Sequence, residues 1–305
     1  MFSPIITIFI IVFTLFIIIC FRSKYEKSHF NNIKLSFLSN KIDKNYSFVF
    51  LTDLHEKEYG HNNNTLINYV NNLNKDIIIG GDFITFTRRN NRSNVSYTKN
   101  TINLINNISK INNIYYAFGN HELRLKYKQD DNDSLKNAYN EFISTLDKNN
   151  IKLLDNSFID LDNNIRLYGF TLKNKYYKKR KNLDIDYKDL VLKDINDIIG
   201  KLDNTKYNIC LLHNPDYADM FIDHGFDMVL SGHHHGGLIR LPFVGSILSP
   251  DMRLLPKYSK GLYHYKNKIL IVSGGLGEHT VKIRLNNKCE LYTITIKREN
   301  GTNTI

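Results

Sequence analysis

Cysteine is scarce in this chain, which has only Cys20, Cys210 and Cys289 among its 305 residues. Three cysteines so far apart exclude a disulfide scaffold and argue against a zinc-finger cage. Proline is also rare, and no internal repeat or linker rich in proline, glycine and serine divides the chain. We therefore expect one folded domain, and the 42% of hydrophobic residues excludes a disordered or fibrous protein. Tryptophan is absent, which excludes no class of function.

The N-terminus lacks charge, since none of the first 21 residues carries a charged side chain. Residues 5–21 form an apolar run with Thr7 and Thr14 as its only hydroxyl side chains. At about 1.5 Å per residue, a helix over this run is just long enough to cross a bilayer. A cleaved signal peptide or a buried core helix are the alternatives, but the basic start and small-residue cleavage site of a signal peptide are missing. We predict that residues 1–22 are an uncleaved, single-pass membrane anchor.

Two segments carry most of the positive charge. Of the formal net charge of +11, residues 22–44 contribute +4 and residues 173–181 contribute +6. We interpret residues 23–45 as a basic juxtamembrane segment, and its charge favours a cytoplasmic location for the folded domain. Two local patches favour an anionic membrane surface as partner over general nucleic-acid binding. The second patch is a solvated loop, a site that attracts anionic headgroups, or a nucleic-acid groove.

Short apolar runs alternate with amphipathic stretches from about residue 46 onward. Five runs have the length of a strand: residues 47–51, 76–79, 114–118, 209–212 and 228–230. This alternation predicts an α/β domain with a largely buried sheet. The C-terminal part is expected to be antiparallel, with consecutive strands at residues 261–265, 268–273 and 290–297.

Each of the five runs ends in a polar cluster of similar chemistry. In chain order the clusters contain Asp53 and His55, Asp82, Asn120 and His121, His213, and His233 and His235. Ligands of open α/β sheets bind outside the carboxyl ends of the strands. The spacing of two residues within Asp53/His55 and His233/His235 would direct both side chains of each pair to one side of an extended backbone. Carboxylate, imidazole and amide ligands together suit divalent manganese, iron or zinc.

These ordered motifs resemble those of the calcineurin-like metallophosphoesterase superfamily. The matching elements are Asp53-x-His55, Gly81-Asp82, Gly119-Asn120-His121-Glu122, His213 and Gly232-His233-x-His235. The tract GHHHGGLIRLPFVG at residues 232–245 resembles the YkuE- and YaeI-like branch of small, often membrane-anchored bacterial phosphodiesterases. The resemblance implies a four-layer α/β sandwich of two mixed β-sheets flanked by helices. This domain would occupy residues 46–299 and follow the N-terminal transmembrane helix.

The resemblance also implies residue roles in a centre of two divalent metal ions, with Mn²⁺ expected and Fe or Zn²⁺ as alternatives. It assigns the first ion to Asp53, His55 and His235. It assigns the second ion to Asn120, His213 and His233, and Asp82 would bridge the two ions. A hydroxide shared by the two ions would attack phosphorus. His121 would give a proton or a hydrogen bond to the departing oxygen. Glu122 is expected to cap or support the site rather than to bind metal.

Substrate contacts are less well defined by the sequence than the metal ligands. Gly274 stands where the family commonly has an arginine, so no phosphate-binding arginine is assigned at that position. Arg240 and Arg284 are candidates instead, together with Lys173 and Lys175 of the second basic segment. Residues 238–256, which contain three of the five prolines, lie over the sheet edge or meet a lipid tail.

We expect a membrane-anchored dinuclear phosphoesterase that hydrolyses a phosphodiester or pyrophosphate bond of an amphiphilic or cell-envelope substrate. One alternative is a phosphodiesterase for soluble nucleotides or nucleic acid, with the basic loop as a funnel. The other is a catalytically inactive metal-binding module, against which the complete set of seven ligands and His121 argues. No sequence feature indicates a protein partner.

Overall fold

The computed structural model describes residues 4–86, 97–177, 187–249, 252–278 and 282–299. Within these ranges the helices are α1 (Pro4–Ser28), α2 (Asn64–Leu73), α3 (Lys99–Ile108), α4 (Asn120–Lys128), α5 (Asp133–Lys148), α6 (Tyr187–Ile198) and α7 (Ala218–His224). The strands of the N-terminal half are β1 (Phe30–Ser39), β2 (Tyr46–Leu51), β3 (Asp76–Ile79), β4 (Ile114–Tyr116), β5 (Lys152–Leu153), β6 (Ser157–Leu161) and β7 (Ile165–Phe170). Those of the C-terminal half are β8 (Tyr207–Leu212), β9 (Met228–Ser231), β10 (Ile239–Leu241), β11 (Gly245–Leu248), β12 (Gly261–Tyr265), β13 (Lys268–Val272) and β14 (Cys289–Arg298).

The strands form two six-stranded mixed sheets and a short hairpin. The first sheet has the order β1-β14-β2-β3-β4-β5, and the second has the order β12-β13-β9-β8-β7-β6. Strands β2 to β5 run parallel in the first sheet, and β7, β8, β9 and β13 run parallel in the second. The carboxyl ends of the central strands therefore lie along one edge of each sheet. Strands β10 and β11 form the separate hairpin.

An apolar core lies between the two sheets. It contains Phe48 and Phe50 from β2, Leu230 from β9 and Ile294 from β14, and all four are fully buried. The intervening residues of β2 point to the other face, where a second core packs against α2, α3 and α5. A third core lies between the second sheet and helices α6 and α7. This order of helices, sheet, sheet and helices confirms the predicted four-layer α/β sandwich.

Two of the strand predictions need correction. The strand expected at residues 114–118 ends at Tyr116, because the chain turns at Gly119 into α4. The C-terminal part is not one antiparallel unit: β12 and β13 form a hairpin, but β14 crosses to the first sheet. There it pairs parallel with β1 and antiparallel with β2. The apolar pattern of a strand indicates which faces are buried but does not specify which sheet the strand joins.

The segment at residues 23–45 contains a strand that the sequence analysis does not anticipate. Strand β1 forms the edge of the first sheet and is paired with β14 along its whole length. Its side chains alternate between half-buried and exposed, as is usual when one face of an edge strand meets solvent. The sequence did not indicate this strand because its polar residues give it the composition of a linker. Only His29 separates β1 from the end of α1, so the predicted juxtamembrane segment holds the last turns of a helix and an edge strand.

Helix α1 is long and apolar enough to span a membrane, a character it shares with signal sequences. Its most apolar 18-residue window has a mean hydropathy of 3.0, and none of that window is buried inside the protein. This exposure excludes the interpretation as a buried core helix. The described part of the helix runs from Pro4 to Ser28. It continues past the predicted boundary at residue 22, and its last turns contact the domain.

The core between the sheets gives a test of the architecture. We expect Phe50→Ala to lower the free energy of unfolding by about 3–5 kcal/mol, because it removes a ring from this core and leaves a cavity. Phe158→Ala, at a half-exposed position of β6, should lower the free energy of unfolding far less. Urea unfolding of the full chain in detergent micelles, followed by far-ultraviolet circular dichroism, measures both. Similar losses for the two variants would contradict the central role of the inter-sheet core.

Candidate metal centre

Five loops bring the predicted metal ligands to one place at the carboxyl edges of both sheets. In the first sheet Asp53 and His55 follow β2, Asp82 follows β3, and Asn120 and His121 begin α4 directly after β4. In the second sheet His213 follows β8, and His233 and His235 follow β9. Because the strands before these loops run parallel within each sheet, the loops emerge on the same side.

The backbone of these loops is left-handed rather than extended. The φ angles are +53° at Asp53, +50° at His55, +53° at Asp82, +68° at His233 and +50° at His235. Both members of each two-residue pair do reach the site. The prediction that the backbone between them is extended is wrong. Residues other than glycine adopt this conformation at a cost, and it concentrates at functional sites where surrounding structure enforces it.

Two glycines allow the ligand loops to approach one another closely. A Cβ atom at Gly119 would lie 2.2 Å from Asp82 Oδ1, and a Cβ atom at Gly232 would lie 2.1 Å from Asp53 Oδ2. Any side chain at either position would displace a carboxylate of the site. The glycines of the Gly-Asn-His-Glu and Gly-His-x-His motifs are thus explained by contact with the acids of neighbouring loops.

The first cluster consists of Asp53, His55 and His235, whose ligand atoms converge. The two Nε2 atoms of His55 and His235 are 3.0 Å apart, and Asp53 Oδ1 lies 3.8 and 3.4 Å from them, respectively. A point in the middle of this triangle is about 2 Å from each atom, which is the usual length of a bond from zinc to nitrogen or oxygen. All three side chains are at most 4% exposed.

The second cluster consists of Asp82, His213 and His233, and Asn120 begins α4 at the same edge of the sheet. Asp82 Oδ2 lies 3.0 Å from His213 Nε2. His213 Nδ1 donates to the Gly80 carbonyl oxygen at 2.8 Å, so it is the neutral form of the ring that would present a lone pair on Nε2 to a cation. Among the described residues no hydrogen-bond donor reaches the buried Asn120 Oδ1. A buried acceptor of this kind is costly unless something else, such as a cation, satisfies it.

Asp82 connects the two clusters. Its Oδ2 atom, 3.0 Å from His213 Nε2, also lies 3.9 Å from His55 Nε2 and 4.0 Å from His121 Nε2. Burial opposes ionisation of Asp82, but the His213, His121 and His55 imidazoles hold its pKa well below the usual range. Burial likewise acts to lower the pKa of His213, yet the Asp82 and Asp53 carboxylates raise it to about 10. The two carboxylates therefore create a strongly negative potential at the point where the clusters meet.

The ring of His121 is fixed in one tautomer. Its Nδ1 atom accepts a hydrogen bond of 2.8 Å from the backbone N–H of Phe86, so the proton of the neutral ring is on Nε2. That Nε2–H lies on the side of the ring near Asp82 and His55. The backbone N–H of His121 donates to Asp82 Oδ1 at 2.7 Å, which ties the residue to the site. Neutral His121 can thus donate a hydrogen bond into the site.

Glu122 holds two of the ligand loops together. Its buried carboxylate accepts hydrogen bonds from five donors: the backbone N–H groups of Asp82, Phe83, Ile84 and Gly119, and the Tyr116 hydroxyl. Burial and the neighbouring Asp82 raise the pKa of Glu122 to about 7, against the effect of these donors. The carboxylate faces the backbone rather than the clusters, in agreement with the expected capping and supporting role.

The predicted substrate-binding residues lie outside these clusters. Arg240 donates to the Gly236 carbonyl at 3.1 Å and the Ser259 hydroxyl at 3.0 Å. Lys173 pairs with Asp194 at 2.6 Å, and Lys175 lies over the ring of Tyr176. The remaining basic residues of the segment, at positions 178–181, lie outside the described residues. Arg284 is buried and donates to the carbonyls of residues 274, 275, 277 and 287, so it is a structural residue.

Two residues near the clusters carry no recognisable sequence signal. The ring of Tyr177 meets the ring of His233 edge-on, with 5.2 Å between centroids. Asn287 donates from Nδ2 to the carbonyls of His235 and Gly237, at 2.7 and 2.6 Å, and so holds the loop of the last ligand. Tyrosine and asparagine are abundant in this chain, so neither residue stands out in the sequence. Tyr177 lies on a one-turn 3₁₀ helix, and Asn287 lies on a loop distant in sequence from the ligands.

A comparison with protein-family models identifies the domain. Residues 46–237 match the model described as calcineurin-like phosphoesterase, which covers well over half of the chain. The chain belongs to the calcineurin-like phosphoesterase family. The resemblance drawn from the motifs is therefore confirmed, and membership supports the expected class of enzyme, a metal-dependent phosphoric ester hydrolase.

Three bacterial relatives support the expected branch of the family. The chain is 34% identical to the metallophosphoesterase YkuE of Bacillus subtilis over 107 residues, which are 35% of this chain and 37% of that protein. It is 24% identical to the B. subtilis metallophosphoesterase YkoQ over 81% of this chain and 82% of that protein. It is also 34% identical to the phosphodiesterase YaeI of Escherichia coli, over 29% of this chain and 32% of that protein. The matches with YkuE and YaeI thus span about a third of each relative.

The residues present fit the divalent metals that this family uses. The donors of the clusters are carboxylate oxygens and imidazole nitrogens, and the amide oxygen of Asn120 is buried with no hydrogen-bond donor among the described residues. No thiolate belongs to these clusters, because Cys210 and Cys289 are buried within strands and Cys20 is on α1. Such a donor set suits Mn²⁺, Fe²⁺ or Zn²⁺ better than a thiolate-seeking ion.

The role of Glu122 is open to a direct test. We expect Glu122→Gln to lower the free energy of unfolding by about 1–3 kcal/mol, because its amide group presents N–H donors to backbone N–H groups that need an acceptor. The matched variant Glu141→Gln, at an exposed position of α5, should stay within about 0.5 kcal/mol of the parent chain. Urea unfolding in detergent micelles compares the two. A Glu122→Gln variant as stable as Glu141→Gln would contradict the supporting role.

Proposed function

We propose that this protein is a membrane-anchored phosphoesterase with two divalent metal ions that hydrolyses a phosphodiester or pyrophosphate bond. The observation that carries the proposal is the pair of ligand clusters joined through Asp82. Asp53, His55 and His235 would hold one ion, and Asn120, His213 and His233 would hold the other. Asp82 would supply a ligand to both. Mn²⁺ is the favoured metal, and the same donors accept iron or zinc.

The ions, when bound, supply the electrostatic stabilisation of a phosphoryl transition state and lower the pKa of water. The chain contributes by fixing the ligands before the substrate arrives. The left-handed loops, the close contacts at Gly119 and Gly232 and the hydrogen bonds to Glu122 keep the donors in place. His121 donates its Nε2 hydrogen bond to a substrate oxygen, since Phe86 keeps Nδ1 occupied as an acceptor. Preorganised donors of this kind need no rearrangement during the reaction.

Membrane attachment through α1 favours an amphiphilic or cell-envelope substrate over a soluble nucleotide. A single-pass anchor keeps the domain at the lipid surface, and Arg22, Lys24 and Lys27 at its end favour the cytoplasmic side and anionic lipids. The relative YaeI is named a phosphodiesterase, which favours a diester among the possible phosphoesters. Lys173 is ion-paired with Asp194, which weakens the case for the basic loop as a nucleic-acid funnel.

Asp82 provides the first test of this function. Asp82→Asn should reduce hydrolysis of bis-p-nitrophenyl phosphate with added Mn²⁺ by about a hundredfold or more, since even partners of metal ligands typically account for 10–100-fold. Asp131→Asn, an exposed acid paired with Lys128, is the matched control and should keep full activity. Absorbance assays on the full chain in detergent measure both. Equal, metal-independent rates for Asp82→Asn and the parent chain would refute the proposal.

His121 provides a second test that separates a donor from a ligand. His121→Asn should lower kcat by about 10²–10⁴-fold, because it removes the hydrogen bond to the reacting phosphate. The bound metal, measured by inductively coupled plasma mass spectrometry, should stay at the parent level. His264→Asn, an exposed histidine on β12, serves as the control. If His121→Asn lost one equivalent of metal along with its activity, His121 would be a ligand.

A further inference from the structure

The end of helix α1 is held by the loop at residues 282–288. Glu26 is almost completely buried there, and its Oε2 accepts a hydrogen bond of 2.7 Å from the backbone N–H of Asn287. Ser23 Oγ accepts from the backbone N–H of Arg284 at 3.2 Å. Lys27 Nζ donates to the Lys282 carbonyl at 3.0 Å. With His29 alone between α1 and β1, the helix is joined to the domain at a defined place rather than by a flexible linker.

The same loop supports the candidate metal centre. Asn287 donates to the carbonyl of the ligand His235, and Arg284 donates to the Gly274 carbonyl at 2.6 Å and the Gly277 carbonyl at 2.8 Å. Residue 277 in turn donates its backbone N–H to the carbonyl of the ligand Asp53. One short loop thus contacts both the end of the membrane helix and the segments that carry two predicted ligands.

The loop also pairs with the β10–β11 hairpin, whose outer surface is apolar. Arg240 donates its backbone N–H to the Leu285 carbonyl at 3.0 Å, and Leu285 donates to the Leu238 carbonyl at 3.1 Å. Phe243 at the hairpin tip is fully exposed, and Val244 beside it is 58% exposed. Together with the exposed side chains of the hairpin and the loop, they form an apolar rim, which consists of Ile239, Leu241, Phe243, Val244 and Ile283.

The apolar rim begins beside the end of α1. Ile283 immediately precedes Arg284, whose backbone N–H contacts Ser23 of the helix, and Leu285 bridges to Ile239 at the base of the hairpin. A contiguous apolar surface in a soluble region usually marks a binding site. Because this one begins where a helix able to span a bilayer ends, lipid is the occupant that this position favours. The basic residues Arg22, Lys24, Lys27 and Lys282 at the same junction suit anionic headgroups.

We propose that the apolar rim inserts into the same lipid surface that α1 crosses and forms a second membrane contact beside the metal centre. The inference rests on the membrane attachment included in the proposed function. Large apolar side chains at an interface lie in the boundary between headgroups and acyl chains, where their burial stabilises binding. His235 is four residues before Ile239, so at most about 14 Å of extended chain separates the rim from a predicted metal ligand. The substrate would keep its apolar part in the bilayer while its phosphate enters the site.

The absence of tryptophan makes this contact measurable, since a single introduced tryptophan is a unique fluorophore. Three full-length variants are compared in vesicles of phosphatidylcholine and phosphatidylglycerol, with and without phosphatidylcholine brominated on its acyl chains. Phe243→Trp reports on the rim, and Phe13→Trp, in the exposed apolar part of α1, reports on the anchor. Phe158→Trp reports on an exposed position of β6, at the edge of the second sheet opposite β12.

Brominated lipid should reduce the tryptophan fluorescence of Phe243→Trp. The fraction lost should be roughly half or more of the fraction that Phe13→Trp loses, because interfacial side chains lie shallower than transmembrane ones. It should leave Phe158→Trp unchanged. If brominated lipid quenches Phe13→Trp but leaves the fluorescence of Phe243→Trp as unchanged as that of Phe158→Trp, the second contact is overturned and the anchor stays intact. A blue-shifted but unquenched Phe243→Trp would indicate a protein or a second copy at the rim, and would also overturn it.

The remaining outcomes separate this inference from the proposed function. If Phe13→Trp is not quenched, α1 is not in the bilayer, and both the anchor and the second contact are wrong. If all three quenching results are as expected but the parent chain hydrolyses no phosphoester with Mn²⁺, the catalytic proposal fails while the lipid contact stands.

Discussion

The face-to-face packing of two sheets is the constraint on which the candidate metal centre depends. Each sheet alone delivers only part of the ligand set: Asp53, His55, Asp82 and Asn120 come from one, and His213, His233 and His235 from the other. The core of Phe48, Phe50, Leu230 and Ile294 holds the two carboxyl edges together. Since protein cores are packed as densely as organic crystals, this contact fixes distances between side chains that are far apart in sequence.

The ligands impose a cost that their surroundings offset. Five of them have left-handed backbone, two carboxylates are buried with imidazoles around them, and no donor among the described residues reaches the amide oxygen of Asn120. The compensation comes from hydrogen bonds just outside the clusters. Glu122 collects five donors, the Gly80 carbonyl orients His213, and Asn287 holds the loop of His235. Stability and ligand geometry therefore depend on the same small group of polar contacts.

The convergence of the candidate ligands could be predicted from the sequence, because each follows an apolar strand and belongs to a short motif. The four-layer fold followed from the same motifs through the family resemblance. What could not be predicted depends on contacts between distant segments. The left-handed backbone at His55 and His235, the sheet that β14 joins, and the position of Tyr177 beside His233 have no local pattern. Strand β1 was missed because its alternating polar side chains resemble a linker.

With α1 in a bilayer, as proposed, the direct junction between α1 and β1 would have a kinetic consequence. A long flexible tether would let the domain sample a deep layer of solution, and the effective concentration at the lipid surface would fall as the tether lengthened. With one residue between helix and strand, and Glu26 buried at the joint, the metal centre would stay at a constant height above the bilayer. Encounter with substrate would then be a two-dimensional search, so the rate would follow the surface density of the substrate rather than its bulk concentration.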